Sequence, residues 1–573
     1  MDAFLAAANA ILWHDYVLYI MVITGFTFTV WSGFSQYRAL THGVHVIRGR
    51  YDDPDDPGAI NHFQALSTAL SATVGLGNIG GVAIAISLGG PGAVFWIWII
   101  GLLGMATKMT EVVLSMLYRN TDDPDNPHGG PMYVLQKGLK ERYPGSGKLG
   151  GFLGGVFCIT VLIMAATGGN MFQAWNVGEM TESYFGVPSI ASGMLLAVIV
   201  GMVIIGGIKR IGAVTSLLVP AMVTLYLLAA IYVLGVNFAE IPDMFRLIFK
   251  GAFGTLDASG AFIGGTMGYA FMFGMKRAVF SNEAGQGTSP MAHSAAKTKE
   301  PVREGVVAGL EPFLDTIVVC TLTALVILST GVWDRGAEAV LLEEPRAVST
   351  AEGWALDPTR ISERSSGEWV NGDNVFLIIS ADANEMSGNN LHRIDGTLLV
   401  AENGDYFVEW GLLAGETKPV VTDQGIYKSY AGATLTARAF DTVVPGLGQW
   451  LLTLAVWLFA ISTMISYSYY GEQAMVFLAG DASVMPYKVV YCLLAVVATM
   501  GFLQTDAQLD NLSGFGTGVM LFVNVPVIWL FGAQAMRAYK DYIQRLDAGK
   551  VGPEHENPPL EDVISGADVE DKD

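Results

Sequence analysis

The sequence is short of charged residues, of cysteine and of catalytic motifs, and each shortage excludes a class of protein. Only 15% of the 573 residues are charged, whereas 52% are hydrophobic. No G-x-S-x-G, H-E-x-x-H or Walker A lysine is present, so the sequence indicates neither a membrane enzyme nor nucleotide-driven transport. Cys158, Cys320 and Cys492 fall in separate apolar stretches, and we expect from them neither a disulfide nor a metal site.

What the sequence has instead is long apolar runs. A helix needs about 20 mostly apolar residues to cross a bilayer, and about eleven stretches meet this need, which predicts an all-α polytopic membrane protein. The first stretch has no basic segment before it and no cleavage site after it, so residues 1–38 are predicted to keep an extra N-terminal transmembrane helix. The stretches are 15–37, 62–88, 92–118, 150–178, 189–207, 212–235, 257–280, 305–332, 445–470, 485–503 and 513–535.

Basic residues predict how these stretches cross the bilayer. Lysine and arginine are retained on the cytoplasmic side of short loops. They cluster after the first, third, fifth and seventh stretches, whereas the loops TESYFGVPS and TDAQLDN have none. We therefore expect a multi-pass protein of a bacterial inner membrane, with the N-terminus outside and the C-terminus in the cytoplasm.

One connection, residues 333–440, is long and rich in acids. It contains the strand-like runs NVFLIIS, TLLVAEN and YFVEWGLL, with Asn-Gly or Asp-Gly turn signals at 371–372, 395–396 and 403–404. This pattern predicts a small β-rich insertion on the extracytoplasmic side.

The formal net charge of −21 lies mostly in soluble parts of the chain and does not indicate a nucleic-acid partner. Residues 546–573 are acidic, contain proline and have almost no aromatics, which predicts a disordered cytoplasmic tail. The membrane core is expected in residues 61–332 and 441–540.

The second stretch is interrupted by SATVGLGNIGG, in which four glycines and Asn78 break an otherwise apolar run. Unpaired backbone groups are costly inside hydrocarbon, so a broken helix indicates a buried polar site that holds an anionic group, a cation or both. Tight helix packing is the alternative, but packing has no use for Asn78. The seventh stretch is predicted to break as well, and two broken helices five spans apart are typical of an inverted five-plus-five repeat. Its glycines are Gly264, Gly265, Gly268 and Gly274.

Four motifs carry a resemblance to a known family. VGLGNI at 74–79, GGPGAVFWIWIIGLLGMATKMTE, SNEAGQGTSPMAHSAA at 281–296 and FAISTMISYSYYGE at 459–472 resemble the alanine/glycine:cation symporter family, the sodium:alanine symporters. VGLGN is also similar to the first core helix of the LeuT-fold neurotransmitter:sodium symporters. The resemblance covers nearly all of 15–540 and departs at the insertion. It implies a LeuT-like fold in which the second, seventh and ninth stretches are core helices one, six and eight.

The resemblance also implies a site. The unwound part of core helix one would hold the carboxylate of an amino acid and a cation, and core helices three, six and eight would complete the pocket. Sodium would take backbone oxygens near Ser71 and Val74, the Ala460 carbonyl, and the hydroxyl of Ser462 or Thr463. The substrate residues would be Thr73, Gly75, Gly77, Asn78, Gln173, Phe273, Met275, Trp457 and Ile461.

Several of these residues have a simpler interpretation. The commoner place of an aromatic in a span, such as Trp457 or Phe273, is the core or the lipid face. The hydroxyls of core helix eight can simply bond the carbonyl four residues earlier. Glu283 is expected near the inner surface. It could form an inner gate with Arg277 or lie at a solvated helix end.

Ionisable residues inside membrane spans are expensive and usually functional. Asp315, one turn after Glu311, is a weaker candidate for the sodium site, and a hydrogen-bonded structural carboxyl is an equal alternative. Lys108 and Glu111, three residues apart, are interpreted as a structural pair.

Secondary transport explains more of the sequence than its alternatives. A channel favours a symmetric oligomer around a repeated filter, whereas the two interrupted helices differ in sequence and lie in one chain. The bulky implied pocket residues favour a small substrate. We therefore predict sodium-coupled symport of a small neutral amino acid, alanine and/or glycine, into the cell by alternating access. Sodium is the only expected cofactor. Proton-coupled amino-acid symport is the alternative, and an ion channel a more distant one.

Overall fold

The computed structural model describes residues 2–351, 353–430, 432–501, 506–552, 554–555 and 557–565. This part of the chain is mainly helical, with one β-rich lobe inserted between two helices. Its α-helices are α1 (Asp2–Leu12), α2 (Asp15–Trp31), α3 (Ser35–Arg38), α4 (Val44–Ile47), α5 (His62–Thr73), α6 (Val82–Gly89), α7 (Ala93–Tyr118), α8 (Pro131–Tyr133), α9 (Leu139–Arg142), α10 (Gly147–Ala166), α11 (Phe172–Phe185), α12 (Ser189–Ile204), α13 (Gly207–Val236), α14 (Ile241–Phe253), α15 (Met267–Asn282), α16 (Ser289–His293), α17 (Pro301–Ala308), α18 (Leu310–Pro312), α19 (Thr321–Ser329), α20 (Ala433–Val443), α21 (Leu447–Ala479), α22 (Val484–Ala498), α23 (Asp506–Asp547) and α24 (Leu560–Ser565).

Short segments of tighter or wider helix join several of these. Most of them continue an α-helix directly, so two or three pieces make one long helix. The π-helical segments are Ala39–Gly43, Gly77–Gly81, Val134–Gly138, Thr167–Met171 and Phe313–Cys320, and the 3-10 segments are Phe238–Glu240 and Asp481–Ser483.

The number of spans differs from the predicted eleven. Among the described residues, eight helices are long and apolar enough to cross a membrane, and a ninth span is the bent pair of α5 with residues 77–89. Two predicted spans are short, because α12 and α15 have 16 residues each. Such a helix reaches roughly 24 Å, less than the hydrocarbon thickness of about 30 Å.

The seventh predicted span is short because its first part is not helical. Leu256 and Gly265 exchange backbone hydrogen bonds of 2.9 and 3.0 Å, so residues 256–265 form a small hairpin before α15 begins. The helix itself starts after Thr266, whose side chain accepts from the Tyr269 N–H.

The predicted β-rich insertion is present as an antiparallel lobe. Its larger sheet has the strand order β1-β9-β5-β6-β7-β4, and its smaller sheet has the order β2-β3-β8. The strands are β1 (Ala339–Val340), β2 (Ala347–Thr350), β3 (Gly353–Leu356), β4 (Thr359–Ile361), β5 (Asn374–Asn384), β6 (Asn389–Val400), β7 (Tyr406–Trp410), β8 (Leu412–Leu413) and β9 (Val420–Lys428).

One of the three predicted turns is wrong. Gly396 lies inside β6, where it pairs with Val375 of β5 and Trp410 of β7. A Cβ on Gly396 would lie 2.5 Å from Val408 and 2.7 Å from the Trp410 ring. The glycine therefore serves close packing in a strand, which the Asp-Gly pair alone does not reveal.

The lobe rests on the hairpin that precedes α15. Alternate residues of β5 face opposite sides of the sheet, so Val375 enters the lobe core while Phe376 packs in a cluster with Ile263. The Asn389 side chain donates to the Ile263 carbonyl at 2.8 Å, and the Thr266 N–H donates to the Met386 carbonyl at 3.1 Å.

The C-terminal tail is not wholly irregular. Within the predicted disordered segment 546–573, residues 560–565 form α24, and Val563 and Ile564 pack against the cluster that contains α23. Arg537 of α23 donates to the Ile564 carbonyl at 2.8 Å. Apolar side chains spaced along LEDVIS give this segment a face to bury, and residues 566–573 lie outside the described residues.

Candidate functional site

The predicted break in the second stretch is confirmed. Helix α5 begins with a capping box between Asn61 and Gln64 and ends at Thr73, and Val74 is extended. The chain resumes as the π-helical segment 77–81 and then α6, with a bend of 52° between the two halves. The break thus lies at VGLG, in the buried centre of the helical bundle.

Asn78 is bonded at both ends of its amide by the protein itself. Its Oδ1 accepts from the Gly75 N–H at 2.8 Å, and its Nδ2 donates to Asp315 Oδ1 at 2.5 Å and Ser281 Oγ at 3.0 Å. The amide is therefore satisfied by the protein without a ligand. Asn78 instead holds the unwound turn and ties it to two other helical segments.

Asp315 is the centre of this polar group. It lies in the π-helical segment 313–320, and its Oδ2 accepts from Ser281 Oγ at 2.9 Å and Thr316 Oγ1 at 2.7 Å. The side chains of this group are all buried, namely Asn78, Ser281, Asp315 and Thr316. A buried carboxyl that accepts from three donors fits a structural role for Asp315. Through Ser281 it also links α15 to the break.

The predicted sodium residues come together between α5 and α21. Ser71 Oγ donates to the Ser462 carbonyl at 2.6 Å, while Ser462 Oγ and Thr463 Oγ1 each donate to the Ser71 carbonyl at 3.3 Å. Val74 and Ala460 are also fully buried. Hard cations prefer such oxygen ligands, and neutral oxygens suffice for a monovalent ion.

Gln173 carries an unused acceptor. Its Nε2 donates to the Gly168 carbonyl at 3.1 Å, but its Oε1 has no partner among the described residues although only 7% of the residue is exposed. A buried, unpaired carbonyl oxygen is costly unless something donates to it.

Trp457 is held by a hydrogen bond from its Nε1 to Thr181 Oγ1 of α11, at 3.0 Å. Thr181 lies two turns beyond Gln173 on α11. Ile461 follows Trp457 by one turn, so both side chains lie on one face of α21, where both are half-buried.

Phe273 and Met275 do not lie at a break, which corrects the prediction. Both are inside the continuous helix α15, where residues two apart do not share a face. Gly274 serves packing, because a Cβ there would lie 2.4 Å from the Ala93 carbonyl oxygen. The chain leaves the helix later, at Glu283, and Gly285 and Gly287 follow with φ of +87° and +83°.

The other predicted substrate residues have local roles. Thr73 Oγ1 bonds carbonyls of its own helix at 3.4 Å. A Cβ on Gly75 would lie 3.1 Å from Thr463 Oγ1, and one on Gly77 would lie 3.8 Å from Phe280. The short distance at Gly75 shows that α21 lies close to the unwound turn, whereas the distance at Gly77 is an ordinary contact.

Helix α20, directly after the lobe, covers one side of the break. Thr436 Oγ1 donates at 3.1 Å to the Ile79 carbonyl, which also accepts from the Val82 N–H. Thr436, Ser281 and Thr316 were missed by sequence reasoning. Only Ser281 had a signal, since it opens the SNEAGQG motif.

The buried charged residues pair differently from the prediction. Lys108 Nζ lies 3.4 Å from Glu311 Oε2 and 4.0 Å from Glu111 Oε1, so its nearer partner is Glu311. Glu283 accepts from Tyr467 and, at 2.5 Å, from Thr288. These carboxylates belong to one buried polar region.

Comparison with known proteins identifies similar chains. A sequence model described as the sodium:alanine symporter family matches residues 1–355 and 405–557. The unmatched residues 356–404 fall inside the β-rich lobe, where this chain departs most from the family pattern.

Three relatives are similar over long segments. The sodium/alanine symporter AgcS of Methanococcus maripaludis is 35% identical over 487 residues, 85% of this chain and 86% of that protein. The putative sodium/proton-dependent alanine carrier protein YrbD of Bacillus subtilis is 30% identical over 551 residues, 96% of this chain and 94% of that protein. The probable sodium/glutamine symporter GlnT of the same organism is 34% identical over 356 residues, 62% of this chain and 71% of that protein.

Proposed function

This chain belongs to the sodium:alanine symporter family, and from that premise we propose that it carries a small neutral amino acid, alanine or glycine, into the cell together with sodium. The family consists of membrane transporters, not enzymes. The named relatives supply alanine and sodium as the first candidates, and the name of GlnT makes glutamine the substrate to exclude.

The observation that carries the proposal is the broken helix α5–α6 beside α21. Its unwound turn brings neutral oxygens of Ser71, Ser462 and Thr463 within hydrogen-bond distance of one another in a buried place. The orphaned Gln173 Oε1 supplies an acceptor for an ammonium group. Sodium and a zwitterion can bind there to neutral oxygens of the protein.

We propose that transport proceeds by alternating access around this break, in a LeuT-like inverted repeat. Helix α20 closes one side, since Thr436 holds the Ile79 carbonyl, and it must move for a substrate to enter from that side. We assign that side to the exterior, with the N-terminus outside, the C-terminus in the cytoplasm and the bacterial inner membrane as the location.

Size selection is proposed to come from Trp457 and Ile461. Replacing either with alanine is expected to let serine, valine or leucine compete with labelled alanine, because a pocket rejects larger side chains by clash. Alanine itself should bind about 10-fold to 100-fold more weakly, since a cavity of this size costs about 2–4 kcal/mol, part of which the site recovers by relaxing. The measurement is competition for alanine uptake at fixed sodium.

Trp450→Ala is the matched control, because Trp450 lies on the same helix and is 67% exposed. It should keep the wild-type competition profile. An unchanged profile in both pocket variants would place the selectivity determinant elsewhere.

The experiment that tests the proposed function is uptake of labelled alanine, glycine and glutamine into proteoliposomes. An inward sodium gradient is compared with an inward proton gradient, since the name of YrbD makes the proton the second candidate for coupling. We expect alanine accumulation with sodium alone. Equal accumulation without any ion gradient would indicate a passive pathway and contradict symport.

A further inference from the structure

Four buried ionisable side chains form a hydrogen-bonded chain away from the break. We call His62, Glu304, His293 and Glu311 the His-Glu chain. They come from α5, α17, α16 and α18, and none is more than 1% exposed. Glu304 bonds the Nδ1 atoms of both histidines, that of His293 at 2.5 Å, and His293 Nε2 bonds Glu311 Oε1 at 2.5 Å.

The hydrogen bonds of the His-Glu chain need more protons than its groups ordinarily carry. A neutral imidazole has one N–H and a carboxylate has none, so two neutral histidines and two carboxylates supply two protons. Three hydrogen bonds join the four groups. A further proton must therefore lie within the chain, either on a second imidazole nitrogen or on a carboxyl oxygen.

The surroundings favour holding this proton on His293. Burial alone would lower the pKa of His293, but Glu311 and Glu304 outweigh it and raise the pKa to about 9. The other titratable or charged groups that face the chain from neighbouring elements are Asp52, Lys108, Glu111, Arg119, Glu283 and Tyr470. Arg303 precedes Glu304 on α17, and Tyr467 bonds Glu283.

The two ends of the His-Glu chain lead to different places. His62 Nε2 has no hydrogen-bond partner among the described residues and lies 3.9 Å from Asp52 Oδ1, whose side chain is 43% exposed. At the other end, Glu311 lies one turn before Asp315, the residue that holds Asn78. The chain thus joins a surface loop to the segment that supports the break.

We propose that the His-Glu chain is a proton-binding site which exchanges with the membrane face that carries Asp52 and releases its proton when sodium and alanine bind at the break. The added positive charge of sodium disfavours a second cation nearby in a medium of low dielectric constant. The inference rests on the proposed sodium and alanine site. It differs from a purely structural network, which keeps its proton throughout the binding cycle.

The test is calorimetry of alanine binding to the purified full-length protein at a sodium concentration below that which saturates the free protein, so that sodium binds together with alanine. Binding is measured in two buffers of different ionisation enthalpy, and the difference in apparent enthalpy gives the protons released. We expect a release of a fraction of a proton between about pH 7 and 9, because a site with a pKa near 9 is loaded at lower pH and loses its proton when that pKa falls. His293→Gln should abolish the release.

The matched control is His42→Gln. His42 is also buried, but its Nε2 bonds the Tyr542 hydroxyl at 2.8 Å, and burial together with Arg303 lowers its pKa to about 4. It therefore holds no exchangeable proton in this range, and the variant should release as much as the wild type.

The outcomes separate this inference from the proposed function. Alanine heat that is identical in both buffers from pH 5 to 9 would overturn the proton site while leaving sodium-coupled binding intact. Absence of any alanine heat would overturn both. A folded His293→Gln protein with wild-type release would also refute the assignment, and the wild-type measurement decides the question even if that variant does not fold.

Discussion

Replacing Asn78 with alanine is expected to abolish sodium-driven alanine uptake. The substitution leaves the Gly75 N–H and Asp315 Oδ1 without their partner in a buried site. Each such group costs about 1–3 kcal/mol, which corresponds to at least about a 30-fold loss if both act on the transport-competent state. The measurement is labelled alanine uptake in proteoliposomes, with thermal unfolding of the purified variant as the check on folding.

Asn237→Ala is the control for this variant, because among the described residues the Asn237 amide donates to the Val233 carbonyl of the preceding helical turn and to no distant segment. It should transport like the wild type. Near-normal uptake by a folded Asn78→Ala protein would mean that the unwound turn does not need the hydrogen bonds of the Asn78 amide. The site would then have to be sought on another helix.

The double variant Ser462→Ala with Thr463→Val is expected to lose sodium affinity. It removes two hydroxyl oxygens from the place between α5 and α21 where the sodium is proposed to bind. A polar contact to an ion is worth about 1.5–3 kcal/mol, so the sodium concentration for half-maximal uptake should rise by about 10-fold to 100-fold or more. A sodium titration of alanine uptake measures this shift.

Ser466→Ala is the matched control for the double variant. Ser466 lies one turn further along α21, and its hydroxyl also crosses to α5, where it donates to the Thr68 carbonyl at 2.7 Å. It has the same type of helix-to-helix bond outside the proposed sodium set. Equal loss of sodium affinity in both variants would indicate that helix packing, and not ion ligation, is affected.

The break in the second stretch could be predicted because its cause is local. Four glycines and an amide within SATVGLGNIGG disfavour a continuous helix whatever surrounds them. The partners of Asn78 could not be predicted in the same way. Ser281 and Asp315 are 203 and 237 residues away in the chain, and only the fold brings their side chains to the amide.

The seventh stretch shows where glycine is ambiguous. Gly268 and Gly274 lie inside α15, and Gly274 is small because Ala93 is close, whereas the turn out of the helix begins at Glu283. The residue type alone does not distinguish a glycine that allows close packing from a glycine that interrupts a helix. The chain environment that distinguishes them is not contained in the local pattern.

The β-rich lobe was predictable because turn signals and apolar runs are short-range features. Its docking on the hairpin 256–265 was not, since β5 is apolar on both faces and the second face is buried by Ile263 from another part of the chain. A continuous apolar run in a strand indicates burial on both faces of the sheet, but it does not indicate which segment packs on each face.

The most direct test of the account is alanine binding to the purified protein as a function of sodium concentration. Linkage requires that, if sodium and alanine stabilise one site at the break, each raises the affinity of the other by the same factor. We predict that sodium increases alanine affinity in the wild type and that the same increase requires at least about 10-fold more sodium in the Ser462→Ala, Thr463→Val variant. Alanine binding of equal strength with and without sodium would contradict the account.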